Sequence, residues 1–224
     1  MNLHGFDLGL VEYSQALSLQ EELLRKRCQG EGEDTLLLLE HSPVFTLGRG
    51  GDDQHLLNTS SLPVYRVGRG GDVTFHGPGQ LVGYPIIDLS HHGRDVHAYL
   101  RGLEAVLIGT LAQFGIAAQR VEGLTGVWVE KQKIASIGIG VRRWVTSHGF
   151  ALNVNPDLTY FTDIIPCGLI GVEMTSMSEI LGQSIEMTVV NHLVAEIFAR
   201  YFGYKEIVWQ ENFLTQSLAS IASQ

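Results

Sequence analysis

Hydrophobic residues recur along this chain with two periods, and each period predicts its own kind of element. Tyr13, Ala16, Leu17, Leu23 and Leu24 fall at helical spacing, which predicts an amphipathic helix over residues 11–28, after a short strand at 3–8. The run TLLLLE at 35–40 is apolar without alternation and reads as a buried strand. A second helix is predicted from about 95 to 114, with Val96, Tyr99, Leu100, Leu103, Val106, Leu107, Leu111 and Phe114 as its stripe and Gly115 as its stop. Strands are then expected at 117–121, 126–130, 133–141 and 144–154. Their short connections predict antiparallel pairing, because parallel strands need a longer crossover. A last helix is expected from a Thr188 cap through Phe202, with Val190, Leu193, Val194, Ile197, Phe198 and Tyr201 inward and Gly203 at its end. The tail 209–224 is weakly patterned and predicts nothing. Helices gathered against a mostly antiparallel sheet make an α+β fold, and residues 1–224 suit a single domain.

Two glycine-rich stretches interrupt this regularity. Residues 43–52 read PVFTLGRGGD and residues 63–72 read PVYRVGRGGD, an internal echo that suggests two strands running into the same kind of glycine turn. Only the second copy continues, as RGGDVTFHGPGQLVGYP over Arg69–Pro85. Glycines at this density let backbone approach a ligand closely. The apolar residues Val73, Phe75, Leu81 and Val82 make the stretch strand-turn-strand, and we read it as one wall of a binding cleft.

Composition narrows the class. With 45% hydrophobic and 17% charged residues the chain is globular and not disordered. No apolar run approaches the roughly 20 residues that span a bilayer. The start MNLHGFD resembles neither a signal nor a transit peptide. Two cysteines, Cys28 and Cys167, make no disulfide framework, so a cytoplasmic location is expected. A net charge of −9 argues against nucleic-acid binding, and neither nucleic acid nor membrane is an expected partner. Basic residues do gather locally, at Arg25-Lys26-Arg27, at Arg142-Arg143, and at Arg49, Arg66 and Arg69.

Candidate chemistry centres on Cys167, in IIPCGL. Pro166 and Gly168 are loop formers, so the thiol sits in a turn that can present sulfur to a cleft and leave adjacent N–H groups for an oxyanion. Cys28, at a helix end, reads as an incidental thiol. A free thiol pKa of about 8.5 leaves little thiolate at neutral pH, so a nucleophile needs a base. Lys131, Lys133, His76 and His148 are the candidates. If strand 133–141 alternates, Lys133 shares a face with Ala135, Ile137 and Ile139, where desolvation would lower its pKa; Lys131 reads as solvated. The nine histidines show no i, i+4 pair and no Cys/His cluster, so no metal is expected. No phosphate-binding glycine loop opens a helix.

Three motifs, RGGDVTFHGPGQLVGYP, KIASIGIGVRRWVTSHGFALNVN and PCGLIGVEMTS, resemble those of the lipoyl(octanoyl) transferase family. HSPVFTLGRGG at 41–51 and the helix beginning DVHAYLRGLEAVL extend the likeness, in order, from about residue 3 to 182. Gly140 departs from it, standing where a bulkier, often basic residue is expected. The resemblance implies a biotin/lipoate-ligase-like α+β fold and no cofactor, metal or nucleotide. It implies Cys167 as nucleophile and Lys133 as its acid/base partner. Its binding segments fall on Arg69, Gly70, Gly71, Asp72, Val73, Thr74, Phe75 and His76, on Ser136, Ile137 and Gly138, and on Gly149, Phe150 and Ala151. His148 and Gly168 would border the cleft.

The implied reaction moves an octanoyl (or lipoyl) group from acyl carrier protein to a lysine of lipoyl domains, those of 2-oxoacid dehydrogenases and the glycine cleavage H protein. An ATP-dependent lipoate or biotin ligase on the same fold is the alternative, and a non-enzymatic lipoyl-domain or acyl-group binder a further one. Because such partners are acidic, Arg49, Arg69, Arg142 and Arg143 are expected to outweigh the net negative charge near the cleft.

Overall fold

The computed structural model describes residues 1–59 and 62–210. Among these residues, ten strands form two sheets. The strands are β1 (Leu3–Val11), β2 (Thr35–His41), β3 (Val44–Leu47), β4 (Val64–Arg66), β5 (Val73–His76), β6 (Gln80–Ile86), β7 (Val127–Val129), β8 (Gln132–Arg142), β9 (Val145–Asn153) and β10 (Ile207–Trp209). The larger sheet has the order β10-β1-β2-β6-β9-β8-β7 and the smaller β4-β3-β5. Pairing from β2 to β7 is antiparallel, whereas β1 runs parallel to both β2 and β10. The α+β class expected from the pattern is the one observed.

Alternation divides the larger sheet's residues between two layers. Leu36, Leu38, Leu81, Phe150 and Leu152 face the main core, which α2 (Val96–Gln113) and α4 (Met187–Phe202) complete with Leu103, Leu107, Leu111, Val190, Val194 and Phe198. Leu37, Leu39, Val82, Tyr84 and Ala151 face the other way, toward Ala16 and Leu19 of α1 (Tyr13–Cys28). At roughly 1.5–3 kcal/mol per buried aliphatic side chain, these two layers hold the sheet between its helices. A short α3 (Met177–Leu181) precedes α4.

Several expectations need correcting. Thr188 lies inside α4, whose cap is Glu186, and Tyr201 is 52% exposed while Asn191, Ala195 and Ala199 are buried in its place. The Arg69–Pro85 stretch is strand-turn-strand, but its halves do not form a hairpin: β5 pairs with β3 in the smaller sheet and β6 with β2 and β9 in the larger. The turn is therefore a corner between sheets. The two echoed segments lie side by side, with β3 parallel to β4. Their glycine turns are bonded backbone to backbone, Arg49 N–H to Arg69 C=O at 2.9 Å and Gly50 N–H to Gly71 C=O at 3.2 Å. Of the unpatterned tail, Trp209 closes β10, and residues 211–224 lie outside the described residues.

Residues 117–121 form no strand; Gln119 makes one isolated bridge to Trp128. A side-chain clasp holds this segment instead. Glu104, fully buried on α2, accepts from Arg101 at 2.7 Å, from Arg120 at 2.9 Å and from the Gly126 N–H at 3.2 Å. Glu104→Ala removes the acceptor of three donors at once. Because both arginines reach solvent, the expected loss is roughly 2–3 kcal/mol, toward the low end for a broken buried pair. A melting curve should fall by about 4–12 °C, and an unchanged midpoint would show the clasp to be ornamental.

Candidate active site

Lys133 is the second residue of β8, paired with Trp128 of β7 on one side and lying beyond the start of the pairing with β9 on the other, where a second segment fixes its backbone. Its N–H donates to the Glu173 carbonyl at 2.8 Å, and its own carbonyl accepts from the Thr175 N–H at 3.0 Å. This parallel bridge ties Lys133 to the stretch that follows the Pro-Cys-Gly turn. The side chain is 2% exposed, and Nζ lies 3.0 Å from Cys167 Sγ and 5.6 Å from the centre of the Trp128 ring. Ser136 Oγ is 3.9 Å from the same sulfur. Nucleophile and base candidates, far apart in sequence, meet here.

The turn carrying the cysteine is bound on its near side to residues 52–58. Ile164 bridges Leu56, and the Ile165 N–H donates to the His55 carbonyl at 2.8 Å. Cys167 itself is left-handed, at φ 58°. One expectation fails: the Gly168 N–H is not left for an oxyanion, since it donates to the Ile165 carbonyl at 3.0 Å. Three-residue turns of this tightness consume that donor in closing themselves.

Cys167 opens into a cavity lying between the α1-side face of the larger sheet and β5 of the smaller one. Arg69, Gly71, Asp72, Thr74 and His76 line it from the second glycine turn and β5. Ser136, Ile137, Gly138, His148, Gly149, Phe150 and Ala151 line it from β8 and β9. The glycine wall is real: a Cβ at Gly138 would stand 2.7 Å from the Gly70 carbonyl and 3.2 Å from Arg69 Cδ. Val73 and Phe75 belong elsewhere, in a core with Phe45, Phe161 and Ile164, because alternation turns them away from Thr74 and His76. Gly70 does not line the cavity either; its N–H donates to the Ile139 carbonyl at 2.8 Å and joins the turn to β8.

His76 is the centre of a buried polar chain. Arg69 donates to Thr46 Oγ1 at 2.8 Å, and Thr46 Oγ1 lies 3.3 Å from His76 Nε2. His76 Nδ1 donates to Gln80 Oε1 at 2.7 Å, and Gln80 Nε2 to Asn153 Oδ1 at 2.9 Å. Asn153 Nδ2 then donates to the Thr175 carbonyl at 2.9 Å, beside Lys133. Both ring nitrogens of His76 are engaged. Burial above all, then nearby His41, holds its pKa well below the usual histidine value. A neutral, doubly bonded imidazole is a framework residue and not a general base. Burial holds His41 down to about 4, and burial followed by the charges of Arg69 and Arg49 does the same to His148.

Sequence patterns missed part of the lining. Tyr13, Val82 and Tyr84 also face the cavity; their apolar bodies read as ordinary core, and no local signal separates the two uses. His55 was missed as well. Its Nδ1 pairs with Asp72 Oδ2 at 2.6 Å, and both side chains press on Gly168. Of the four arginines expected at the cleft, Arg69 lines the cavity, Arg49 and Arg142 line an adjoining groove with Arg66, and Arg143 sits in the β8–β9 turn. Cys28 donates to the Arg142 carbonyl at 3.3 Å, away from Lys133 and Cys167.

Comparison with known proteins supplies the family. A model of the lipoyl protein ligase A/B catalytic domain matches residues 12–199. An octanoyltransferase of Geotalea uraniireducens is 52% identical over 198 residues, covering 88% of this chain and 91% of its own length. One from Geobacter sulfurreducens is 54% identical over 193 residues, covering 86% and 82%. A putative lipoate protein ligase from T. acidophilum superposes with a TM-score of 0.76 at 14% identity, covering 99% of this chain and 94% of that one. Biotin protein ligase from Aquifex aeolicus superposes at 0.53 and 14% identity, covering 90% and 69%. The solved structures speak for the fold. By the family model and by relatives sharing half of its residues, the chain belongs to the lipoyl protein ligase A/B catalytic-domain family, among its octanoyltransferases, which are acyltransferases.

Proposed function

We propose that this enzyme transfers an octanoyl group through an acyl-thioester on Cys167, with Lys133 moving the protons. The observation that carries the proposal is the 3.0 Å contact of Lys133 Nζ with Cys167 Sγ, where Cys167 lines a cavity. Lys133 takes the thiol proton as Sγ attacks the donor's thioester carbonyl. The carrier's sulfur leaves with that proton, and the octanoyl group stays on Cys167. One thioester replaces another, so ATP has no place in the step. The acceptor lysine, with a free pKa of about 10.4, arrives as an ammonium, gives one proton to solvent to become an amine, and must lose a second as it attacks. Lys133 accepts it and returns it to Sγ as the amide forms. Amide formation from a thioester is downhill and gives the cycle its direction.

The donor in this reading is octanoyl-acyl carrier protein. The acceptors are lipoyl domains, those of 2-oxoacid dehydrogenases and the glycine cleavage H protein, and the reaction belongs to the cytoplasm, where Cys167 stays reduced. The alkyl chain lies along Ser136–Gly138 and Gly149–Ala151, with Val82 and Tyr84 beside them on the adjoining β6 and Tyr13 of α1 completing the lining. Intact-mass spectrometry after incubation with octanoyl carrier protein and no nucleotide should find one octanoyl group, mapped to Cys167 and absent in Cys167→Ala. Transfer that needs ATP and free acid, and that survives Cys167→Ala, would mean a ligase. Binding of lipoyl domain without turnover from any donor would mean a binding module.

A further inference from the structure

His148 stands where the alternation of β9 is broken. It pairs with Ile139, whose side chain belongs to the core under α2 and α4, so an extended residue 148 would face that core too. Its φ of 55° is left-handed, and its ring stands edge-on to Tyr84, on the opposite face, with 6.3 Å between centroids. Histidine holds such a conformation inside a strand only when its surroundings enforce it. Here Gln20 of α1 does so, accepting the His148 N–H at 2.9 Å.

The ring, 6% exposed, borders two spaces at once. On one side is the acyl cavity, narrow at about 40 Å³. On the other is a groove of about 310 Å³ lined by Leu17, Leu24, Val141, Arg49, Arg142 and Gly140. Gly140 is packed at that border: an added Cβ would stand 2.8 Å from Ser147 Oγ, 3.2 Å from the Gly68 carbonyl and 3.7 Å from His148 Cδ2. Distance along β8 supplies a measure. Ser136 touches the reactive sulfur, and Ile139, opposite His148, comes three residues later. At the rise of a strand that is about 10 Å, comparable to an extended octanoyl chain.

We propose that His148 is the chain-length gate: its ring closes the acyl cavity against the groove and sets the longest chain accepted. The neutral ring, its pKa held at about 4, lets a terminal methyl rest against it. Beyond it, Leu17, Leu24 and Val141 offer apolar surface to any longer chain. This inference rests on the cavity being the acyl channel, as proposed above. It concerns specificity and not bond making.

Calorimetric binding of octanoate, decanoate and dodecanoate tests it without a covalent step. The wild type should bind octanoate best and lose affinity at twelve carbons. His148→Gly suits the left-handed backbone and opens the partition; each added methylene should then raise affinity about fourfold, so the dodecanoate-to-octanoate ratio climbs at least tenfold. His148→Asn, shorter but tolerant of the same φ, should fall between. A wild type that binds dodecanoate as tightly as octanoate overturns the gate with no variant needed, as does an unchanged chain-length order in either folded variant. Loss of the Cys167 adduct in the mass experiment would overturn the acyl-transfer mechanism, while the order of affinities still decides the gate.

Discussion

Lys133→Met is expected to lower octanoyl transfer by about 10³-fold while leaving the fold intact. Methionine keeps the length and apolar bulk of the side chain and removes the amine that lies 3.0 Å from Cys167 Sγ. General acid–base groups contribute about 10²–10⁴-fold, and this lysine is proposed to act in both half-reactions, so the loss belongs in the upper part of that range. The melting temperature should hold or rise, because Lys133 is 2% exposed and an amine that deep is a burden unless it is used. Lys133→Arg should not rescue activity, since a guanidinium does not give up its proton. Stopped assays of transfer to a lipoyl domain, beside a thermal melt, measure both quantities. Wild-type turnover in the methionine variant would remove Lys133 from the chemistry.

Gly168→Ala is expected to abolish acylation of Cys167, by two separate causes. The residue has a φ of 69°, where a side chain costs about 1–2 kcal/mol. The added Cβ would also stand 2.7 Å from Asp72 Oδ2 and 3.0 Å from His55 Cε1. Those atoms belong to a hydrogen-bonded pair, so neither swings aside without breaking the 2.6 Å contact between them. The turn must shift instead, and Cys167 is next to it. Displacement of about 1 Å suffices to cost about 10²-fold in rate. Rapid-quench acylation with octanoyl carrier protein checks this. Gly168→Ala together with Asp72→Ala relieves the clash but not the backbone strain, and should recover part of the rate. Full activity in the single variant would mean that the turn is more pliable than its contacts imply.

The three long helices were legible because each carries a stripe long enough to declare its period; the five-residue α3 carries none and was not foreseen. Their ends were less so, as at Thr188, since a capping side chain is one weak signal among several residues able to give it. Cys167 stood out by its Pro and Gly neighbours, and Lys133 by its place on an apolar face. What brings the two together, the ladder from Lys133 to Glu173 and Thr175, is long-range backbone pairing that leaves no local trace. The separation of Thr74 and His76 from Val73 and Phe75 was available from alternation alone. Other features were beyond reach. Nothing in GPG says whether the flanking strands will pair with each other or enter different sheets. Nothing in TSHGF announces that the histidine will turn against its own strand.

The paired glycine turns give the repeated decapeptide a division of labour. The second copy supplies Arg69, Gly71 and Asp72 to the cavity, while the first lines no part of it and braces the second through the β3–β4 pairing and the backbone bonds of Arg49 and Gly50. The wall is two-ply, an inner leaf that faces the cavity and an outer leaf that holds the inner one in place. The outer leaf is thus a mechanical component, and Arg49 and Gly50 set the stiffness of a channel that they never enter.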